Sequence, residues 1–241
     1  MKKNEWLEMK KNSFVEGTLI ATIAIMIVKL IGMLYIIPFY ATVGSQGSAL
    51  YGYAYNIYNL FLEISSAGLP IAISKIINEY NTLGLIEAKV RAYKIGTKLI
   101  AVISLVSFIL LFIFAREIGV LILGDLQGGN TIGDVAFVIR CISFAILVIP
   151  FLSITKGYLQ GHNYIAPSSM SLIIEQVVRI FVILIGSYVT LKVLDLGIKN
   201  SVGVAVFGAF IGGLAACTYV FIKMKKNKEK LNLYEGRKTD K

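Results

Sequence analysis

Six blocks of apolar residues follow one another along the chain, separated by short polar segments. They cover residues 17–40, 51–77, 97–115, 135–155, 169–190 and 202–224. At about 1.5 Å of rise per residue, some 20 residues of α-helix cross a hydrocarbon core of about 30 Å. A membrane β-strand would be about half as long and would alternate in polarity. The pattern therefore predicts an all-α fold, a polytopic bundle of six transmembrane helices.

The polar segments divide the chain around this bundle. We expect a basic tail over residues 1–13, a six-helix lobe over 14–224 and a basic tail or linker over 225–241. With the N-terminus in the cytoplasm, the cytoplasmic segments hold 18 of the 24 Lys and Arg, whereas the external loops hold 3. By the positive-inside rule this bias predicts that both termini are cytoplasmic.

The composition agrees with a membrane protein. The chain is 56% hydrophobic and only 16% charged, with a mean hydropathy of +0.75, whereas soluble domains carry roughly 25% charged residues. The net charge of +10 follows the topology instead of forming one basic patch. We therefore expect no nucleic-acid partner.

Charged residues within the apolar blocks are the candidates for function, because each costs a few kcal/mol unless it meets a partner or water. Lys29 and Glu63 each lie about 18 Å from one end of their spans by helical rise. Charges of both signs thus come from separate helices at similar depths, which favours a hydrated substrate or ion cavity. The candidate cavity residues are Lys29, Glu63, Lys75, Arg140, Glu175 and Arg179.

Simpler interpretations of these charges stay open. Glu175 and Arg179 are spaced i,i+4, so they can neutralise each other on one helix face. Lys29 can pair with Glu63 instead of lining a cavity. Lys75 lies near the inner interface, where snorkelling explains a lysine without function.

Two further patterns concern the shape and packing of the helices. Interior helix breakers mark candidate hinges, because proline removes a helical hydrogen bond; these are Gly68, Pro70 and Pro150. Small residues in the sixth block form two rows at helical spacing, which favours close packing within the bundle; the rows are Ala205, Ala209 and Gly213, and Gly208, Gly212 and Ala216.

Tyrosines cluster at the start of the second block. Tyr51, Tyr55 and Tyr58 share one helical face. The default interpretation is an aromatic belt at the membrane–water interface, and the alternative is a surface on which sugars stack.

No pattern of an enzyme is present. The single histidine, His162, and the two cysteines, Cys141 and Cys217, lie far apart in sequence, which leaves no metal cluster or histidine-based triad. No phosphate-binding glycine loop occurs. We expect neither catalytic residues nor a metal site nor a cofactor, and the transport, channel or structural classes remain.

Three stretches carry a specific resemblance. Leu50–Tyr80 and Lys156–Ile180 resemble the second-helix region and the loop into the fifth helix of the stage V sporulation protein B-like family of polysaccharide biosynthesis proteins. Phe14–Tyr40 is similar to the first helix of that family. The family belongs to the multidrug/oligosaccharidyl-lipid/polysaccharide flippase superfamily and is related to the lipid II flippase MurJ. The resemblance covers Phe14–Met224.

The resemblance implies two six-helix lobes around a central cavity, in the bacterial cytoplasmic membrane. It also implies alternating access that moves a lipid-linked oligosaccharide or peptidoglycan precursor across that membrane. Basic cavity residues would attract the pyrophosphate. Lys29 and Arg179 match that role best by position and type, and Lys75 and Arg140 less well, while Glu63 has no assigned role.

Members of the family are about twice as long as this chain of 241 residues. We therefore expect an N-terminal lobe that ends in the linker between lobes. We favour a fragment of a longer protein over a half-unit that pairs with a second copy. The lobe would need a C-terminal lobe or a second copy to close its cavity.

Two other functions remain as hypotheses. The first is an ion-coupled drug or cation exporter of the same fold, with Glu63 or Glu175 carrying the coupling ion. The second is a non-transporting membrane scaffold or an inactive fragment.

Overall fold

Residues 9–66, 68–124 and 129–231 are described by the computed structural model, and all their regular structure is helical. The helices are α1 (Phe14–Leu34), α2 (Ile36–Ser66), α3 (Leu69–Thr82), α4 (Ile86–Ile113), α5 (Ala115–Leu123), α6 (Ile132–Gly161), α7 (Ile165–Phe181) and α8 (Gly197–Lys226). Within the described residues, six helical segments are long and apolar enough to cross a membrane. The prediction of a six-helix, all-α membrane bundle is confirmed.

The first two spans meet at Gly44, inside the segment that the sequence pattern assigned to a loop. Hydrogen bonding continues past the end of α1, since Phe39 N–H donates to the Tyr35 carbonyl at 3.0 Å. Gly44 then adopts φ +70° and ψ −171°, a backbone conformation that side chains disfavour. The Tyr35 and Tyr51 hydroxyls lie only 3.3 Å apart, so the chain reverses direction at this glycine.

The second span is divided into two helices where the sequence predicted a hinge. Gly68 has φ +74° and precedes α3, with Pro70 in the first turn of that helix. At this position proline costs no hydrogen bond, because the first turn of a helix leaves its N–H groups unpaired. Pro150, in contrast, lies within the continuous α6. The hinge roles of Gly68, Pro70 and Pro150 stay predictions.

Helix α6 is the centre of the bundle, and 17 of its 30 residues are buried. It packs against α2, α3, α4, α5, α7 and α8. Small residues allow the closest of these contacts: Gly157 lies against the carbonyl of Pro70, and Gly161 lies against that of Ser74. Helix α1, in contrast, packs mainly on α7, and among its residues from 15 to 34 only Gly17 and Ala24 are buried.

The fifth span continues beyond α7 with a wider helical geometry. π-Helical turns occupy Val182–Gly186 and Val189–Val193. The first of them begins within one turn after Arg179. Such turns change the direction in which the following side chains point.

Small residues of α8 hold that helix against its neighbours. A Cβ on Gly212 would lie 2.6 Å from the carbonyl oxygen of Glu175, and one on Gly208 would lie 3.1 Å from that of Arg179. Gly213, from the other predicted row, faces Ile149 of α6. The expected role of both rows in packing within the bundle is confirmed for these three glycines.

The segment before α1 joins three parts of the bundle at one end. We call residues 9–13 the N-terminal latch. The backbone N–H of Asn12 donates to the Asn163 carbonyl at 2.9 Å, and its side-chain oxygen accepts from the N–H of Ala166 at 3.1 Å. Met9 N–H donates to the Asn227 side chain at 3.1 Å. The start of α1, the start of α7 and the end of α8 therefore share one end of the bundle, which we call the latch end.

Replacing Gly212 by alanine is expected to destabilise the bundle, because the added methyl group would press on the α7 backbone at Glu175. Overpacking of this kind costs about 1–3 kcal/mol. Gly52→Ala is the matched control, because a Cβ at this helical glycine meets nothing within 4 Å. It should be neutral or stabilising by up to about 1 kcal/mol. Thermal unfolding in detergent measures both, and equal shifts for the two variants would contradict the packing described.

His162, at the latch end, gives the fold a dependence on pH. Its Nδ1 donates to the Tyr158 carbonyl at 2.9 Å, and its Nε2 is buried without a partner among the described residues. The pKa of His162 is lowered from 6.5 to about 4. Burial is the largest cause, the Tyr158 hydrogen bond opposes it, and the charges of Lys89 and Lys11 add to it.

Acid is therefore expected to destabilise the bundle through His162. The unfolded chain takes up the proton first as the pH falls below about 6.5, so stability present above that pH is lost towards about pH 4. Between pH 7 and pH 5 the loss should be about 2 kcal/mol. Melting temperatures of the wild type and His162→Gln at the two pH values measure it. Parallel pH dependences would show that the histidine does not titrate in this way.

Candidate functional site

Three charged side chains meet where α6, α7 and α8 pack together. The Glu175 carboxylate accepts from the Arg179 guanidinium at 2.6 Å and from Lys156 Nζ at 3.5 Å. The side chains of all three residues are only 12% exposed. The i,i+4 pair of Glu175 and Arg179, which was one interpretation of the sequence, is thus present. It is joined by a third charged residue, Lys156. One carboxylate faces two cations, which leaves the cluster with a net positive charge.

The cluster adjoins a row of three tyrosine rings on α2, Tyr51, Tyr55 and Tyr58, which we call the tyrosine ladder. Arg179 donates to the hydroxyl of Tyr55 at 3.4 Å. The ring of Tyr55 stacks on that of Tyr51, with centroids 5.6 Å apart and an angle of 12° between planes. It also contacts Tyr58 at 5.7 Å, and Tyr51 reaches Tyr35 through its hydroxyl. These tyrosines pack inside the bundle instead of forming the interfacial belt that we gave as the default interpretation.

The cluster and the ladder lie at bilayer depth. Glu175 and Arg179 lie about 15 Å and about 21 Å from the first residue of α7, at 1.5 Å per residue. Tyr55 lies about 16 Å from the reversal at Gly44, on a helix that runs towards the latch end. The fifth span covers 29 residues, or about 43 Å at 1.5 Å per residue. Glu175 and Arg179 therefore lie near its middle, and so near the middle of the hydrocarbon core of about 30 Å that it crosses.

Lys29 lies on the helix next to this site. Gly17 of α1 contacts Ile165, and a Cβ on Gly32 would lie 3.1 Å from the side-chain nitrogen of Gln176. Helices α1 and α7 therefore run parallel, and the turn that carries Lys29 lies beside the turn that carries Gln176. The Lys29 side chain is exposed, on a helix with little packing against the rest of the lobe.

The other three predicted cavity residues are not gathered at the cluster. Glu63 on α2 and Lys75 on α3 are exposed, and no ion pair joins Glu63 to Lys29 within the residues described. Arg140 lies on α6, where its Nε donates to the Phe112 carbonyl at 3.2 Å and its guanidinium lies 5.8 Å from the centre of the Phe112 ring. Roles for these three residues in a cavity stay predictions.

Sequence reasoning missed Lys156 and the link from Arg179 to Tyr55. The fourth apolar block was ended at residue 155, so Lys156 was assigned to a cytoplasmic loop. Helix α6 in fact continues to Gly161, and Lys156 faces Glu175. The glycines at 157 and 161 were the available signal, because small residues four apart on a membrane helix indicate continued close packing.

The arrangement is suited to an anionic, oxygen-rich ligand. Arginine binds phosphate and carboxylate oxygens with paired hydrogen bonds, and stacked tyrosine faces offer flat apolar surfaces with a polar tip. Within the part of the chain that the structure describes, no group of three or more His, Cys, Asp or Glu side chains is placed to hold a metal ion.

The profile of the family described as polysaccharide biosynthesis protein matches residues 14–239. The lipid II flippase MurJ of Bacillus subtilis is 36% identical over 91% of this chain and 41% of its own length. The stage V sporulation protein B of the same bacterium is 28% identical over 91% of this chain and 40% of its length. The chain thus spans about two-fifths of the length of these curated relatives.

Solved structures show the same fold. A MATE protein in a bent conformation superposes with a TM-score of 0.69 at 16% identity, over 90% of this chain and 45% of that protein. An inward-facing multidrug resistance MATE family transporter gives 0.67 at 17% identity, over 88% and 46%. At this identity the likeness concerns the fold alone, and it confirms the prediction of one lobe of a MATE-like bundle.

Neutralising Glu175 should destabilise the bundle more than neutralising Glu175 and Arg179 together. Glu175→Gln alone leaves two neighbouring buried cations without their shared carboxylate, at a cost of about 3–5 kcal/mol. The double variant Glu175→Gln with Arg179→Gln removes one of those cations and should recover part of the loss. Thermal unfolding measures this, with Glu117→Gln on the exposed face of α5 as the control. A Glu175→Gln variant as stable as that control would contradict the cluster.

Proposed function

The chain belongs to the polysaccharide biosynthesis protein family, and from that membership we propose that it forms the N-terminal lobe of a membrane flippase. The cargo is a lipid-linked oligosaccharide or peptidoglycan precursor, and the lobe moves it by alternating access with a second lobe. The observation that carries the proposal is Arg179, held at bilayer depth between Glu175 and Tyr55.

The chemistry of the cluster supports this class of cargo. A lipid-linked glycan carries a phosphate or pyrophosphate next to its sugars. Two cations around one carboxylate attract such an anion, and the strength of the attraction is increased by the low dielectric of the bundle interior. The tyrosine ladder lies directly beside Arg179, where it supplies ring faces and hydroxyl groups for the sugar that follows the phosphate.

The exposed position of Lys29 supports a second lobe. A lysine that faced lipid at this depth would be costly, whereas one that faces a hydrated cleft between two lobes has both water and cargo as partners. Glu63 is exposed in the same way. Both residues fit a surface that a C-terminal lobe or a second copy covers only in part.

The orientation follows from charge and from the latch. Residues 9–13 and the end of α8 are joined at one end of the bundle, so the start and the end of the described chain lie on the same side. Lys10 and Lys11 of the latch and the lysines in the last turn of α8 lie at this end, so we propose that both are in the cytoplasm of a bacterial cell.

An ion-coupled exporter of the same fold is the second candidate. Glu175 favours it, because a carboxylate between two cations changes its contacts when a proton or a metal ion arrives. Under this hypothesis Glu175, and not Arg179, is the residue on which transport depends.

Complementation separates these functions. The complete gene is expressed in a bacterium depleted of its lipid II flippase. Arg179→Gln should abolish growth. Arg179→Lys should retain part of it, because binding of the cargo needs the positive charge more than the planar shape of the guanidinium group. Arg116→Gln, at an exposed position of α5, is the control.

Each alternative has its own outcome. Full growth with Arg179→Gln, at wild-type protein level in the membrane, would overturn the proposed role of the arginine. Growth lost only with Glu175→Gln, together with proton-dependent efflux of a cationic dye, would favour the exporter. A well-expressed wild-type gene that never restores growth and transports no dye would favour a scaffold.

A further inference from the structure

A groove of about 560 Å³ lies between α1 and α7 at the latch end of the bundle. Its walls are apolar and include Ile20, Ile23 and Ile27 of α1 and Ile173 of α7. From Glu16 to Ile27 it follows α1 for about 16 Å, close to half of a hydrocarbon core of about 30 Å. The groove is therefore as deep as one leaflet.

The groove changes from apolar to cationic at its mouth. Lys10 of the latch and Lys223 of α8 lie there, with Lys223 Nζ 5.7 Å from the centre of the Tyr219 ring. Glu16 also lines the mouth, but its carboxylate accepts the Ser13 N–H at the start of α1 at 3.4 Å. That position offsets part of its charge, because the N-terminus of a helix is positive.

The groove is separate from the cluster described above. The α7 residues that line it, among them Ala166, Met170 and Ile173, lie on the face roughly opposite to that of Glu175 and Arg179 at 100° per residue. The side chains of Glu175 and Arg179 do not line the groove, so a ligand in it would not need to pass the site proposed for the cargo.

We propose that this groove is a binding site for an anionic phospholipid of the cytoplasmic leaflet, with one acyl chain between α1 and α7 and the phosphate beside Lys10 and Lys223. Charge complementarity and depth carry this assignment: an apolar slot that ends at the leaflet midplane fits an acyl chain, and two lysines at its mouth fit an anionic headgroup. Because α1 is packed weakly elsewhere, the bound chain also steadies this helix against α7.

Tryptophan fluorescence in vesicles tests the proposal on the full chain. The single tryptophan, Trp6, is replaced by phenylalanine, and Ile23→Trp places a probe in the groove. Val102→Trp on the exposed face of α4 is the matched probe outside it. The vesicles contain phosphatidylcholine with a minor fraction of phosphatidylglycerol. In separate preparations one of the two lipids carries bromine on its acyl chains, and the bromine quenches a tryptophan that contacts this lipid.

At Ile23→Trp, brominated phosphatidylglycerol should quench several-fold more than its share of the lipid predicts, whereas at Val102→Trp it should not. Lys10→Gln should weaken the preference about fivefold, since a lysine near an anionic surface contributes on that scale. Lys10→Arg should keep the preference, and Arg91→Gln, an exposed cation of α4 outside the groove, should leave it unchanged.

Equal quenching by the two lipids at Ile23→Trp, or a preference that survives Lys10→Gln, would overturn the site. Native mass spectrometry of the unlabelled protein covers the case in which a tryptophan variant fails to fold. Phosphatidylglycerol retained by the wild type and lost from Lys10→Gln supports the proposal, while retention of neutral lipid, of a lipid-linked glycan or of no lipid contradicts it. None of these readouts depends on transport, so a failure of the proposed lipid site can be distinguished from a failure of the proposed flippase function.

Discussion

The Glu175 carboxylate lies between Arg179 and Lys156 inside a bundle whose outer surface is apolar. Charges at this depth persist only when partners or water surround them, so the surrounding helices must bring those partners within hydrogen-bonding distance. Gly208 and Gly212 let α8 approach the backbone of α7 at the same turn, and the extension of α6 to Gly161 carries Lys156 to the carboxylate. The ionic contact thus joins α6 to α7 directly, and it forms where α8 packs closely on the same turn of α7.

The length of the apolar blocks was enough to predict the number of spans, because hydrocarbon thickness fixes helix length regardless of side-chain detail. The packing rows of α8 were also predictable, since only small residues admit a neighbouring backbone. The reversal at Gly44 was not, because a single glycine in a polar segment is compatible with a loop or with a helix break. The positions of charged residues were harder to predict. A criterion of hydrophobicity places the end of a span at the first lysine, whereas a lysine inside the bundle can face a carboxylate on the next helix, as Lys156 does. Depth alone grouped Glu63 with the cluster, since depth carries no information about helix face.

The lobe combines a firmly packed half with a loosely held helix. Helix α6 is buried among its neighbouring helices, while α1 packs mainly on α7 and is held at its start by the latch. A helix held at one end and weakly packed along its length changes position at low cost. In a transporter with two lobes, α1 is therefore the element best suited to move, and Lys29 would move with it. The phospholipid groove lies along this same helix, so lipid composition and the position of α1 are expected to be linked.

In the proposed function, the cation cluster at Arg179 binds an anionic lipid-linked glycan as it crosses the membrane. Its most direct test is a flipping assay with the purified complete protein in vesicles that contain a fluorescent lipid-linked oligosaccharide, in which the fraction accessible to a membrane-impermeant reductant is followed over time. The proposed role of Arg179 predicts rapid exchange between leaflets for the wild type and exchange near the rate of protein-free vesicles for Arg179→Gln. Exchange by Arg179→Gln at the wild-type rate would contradict it.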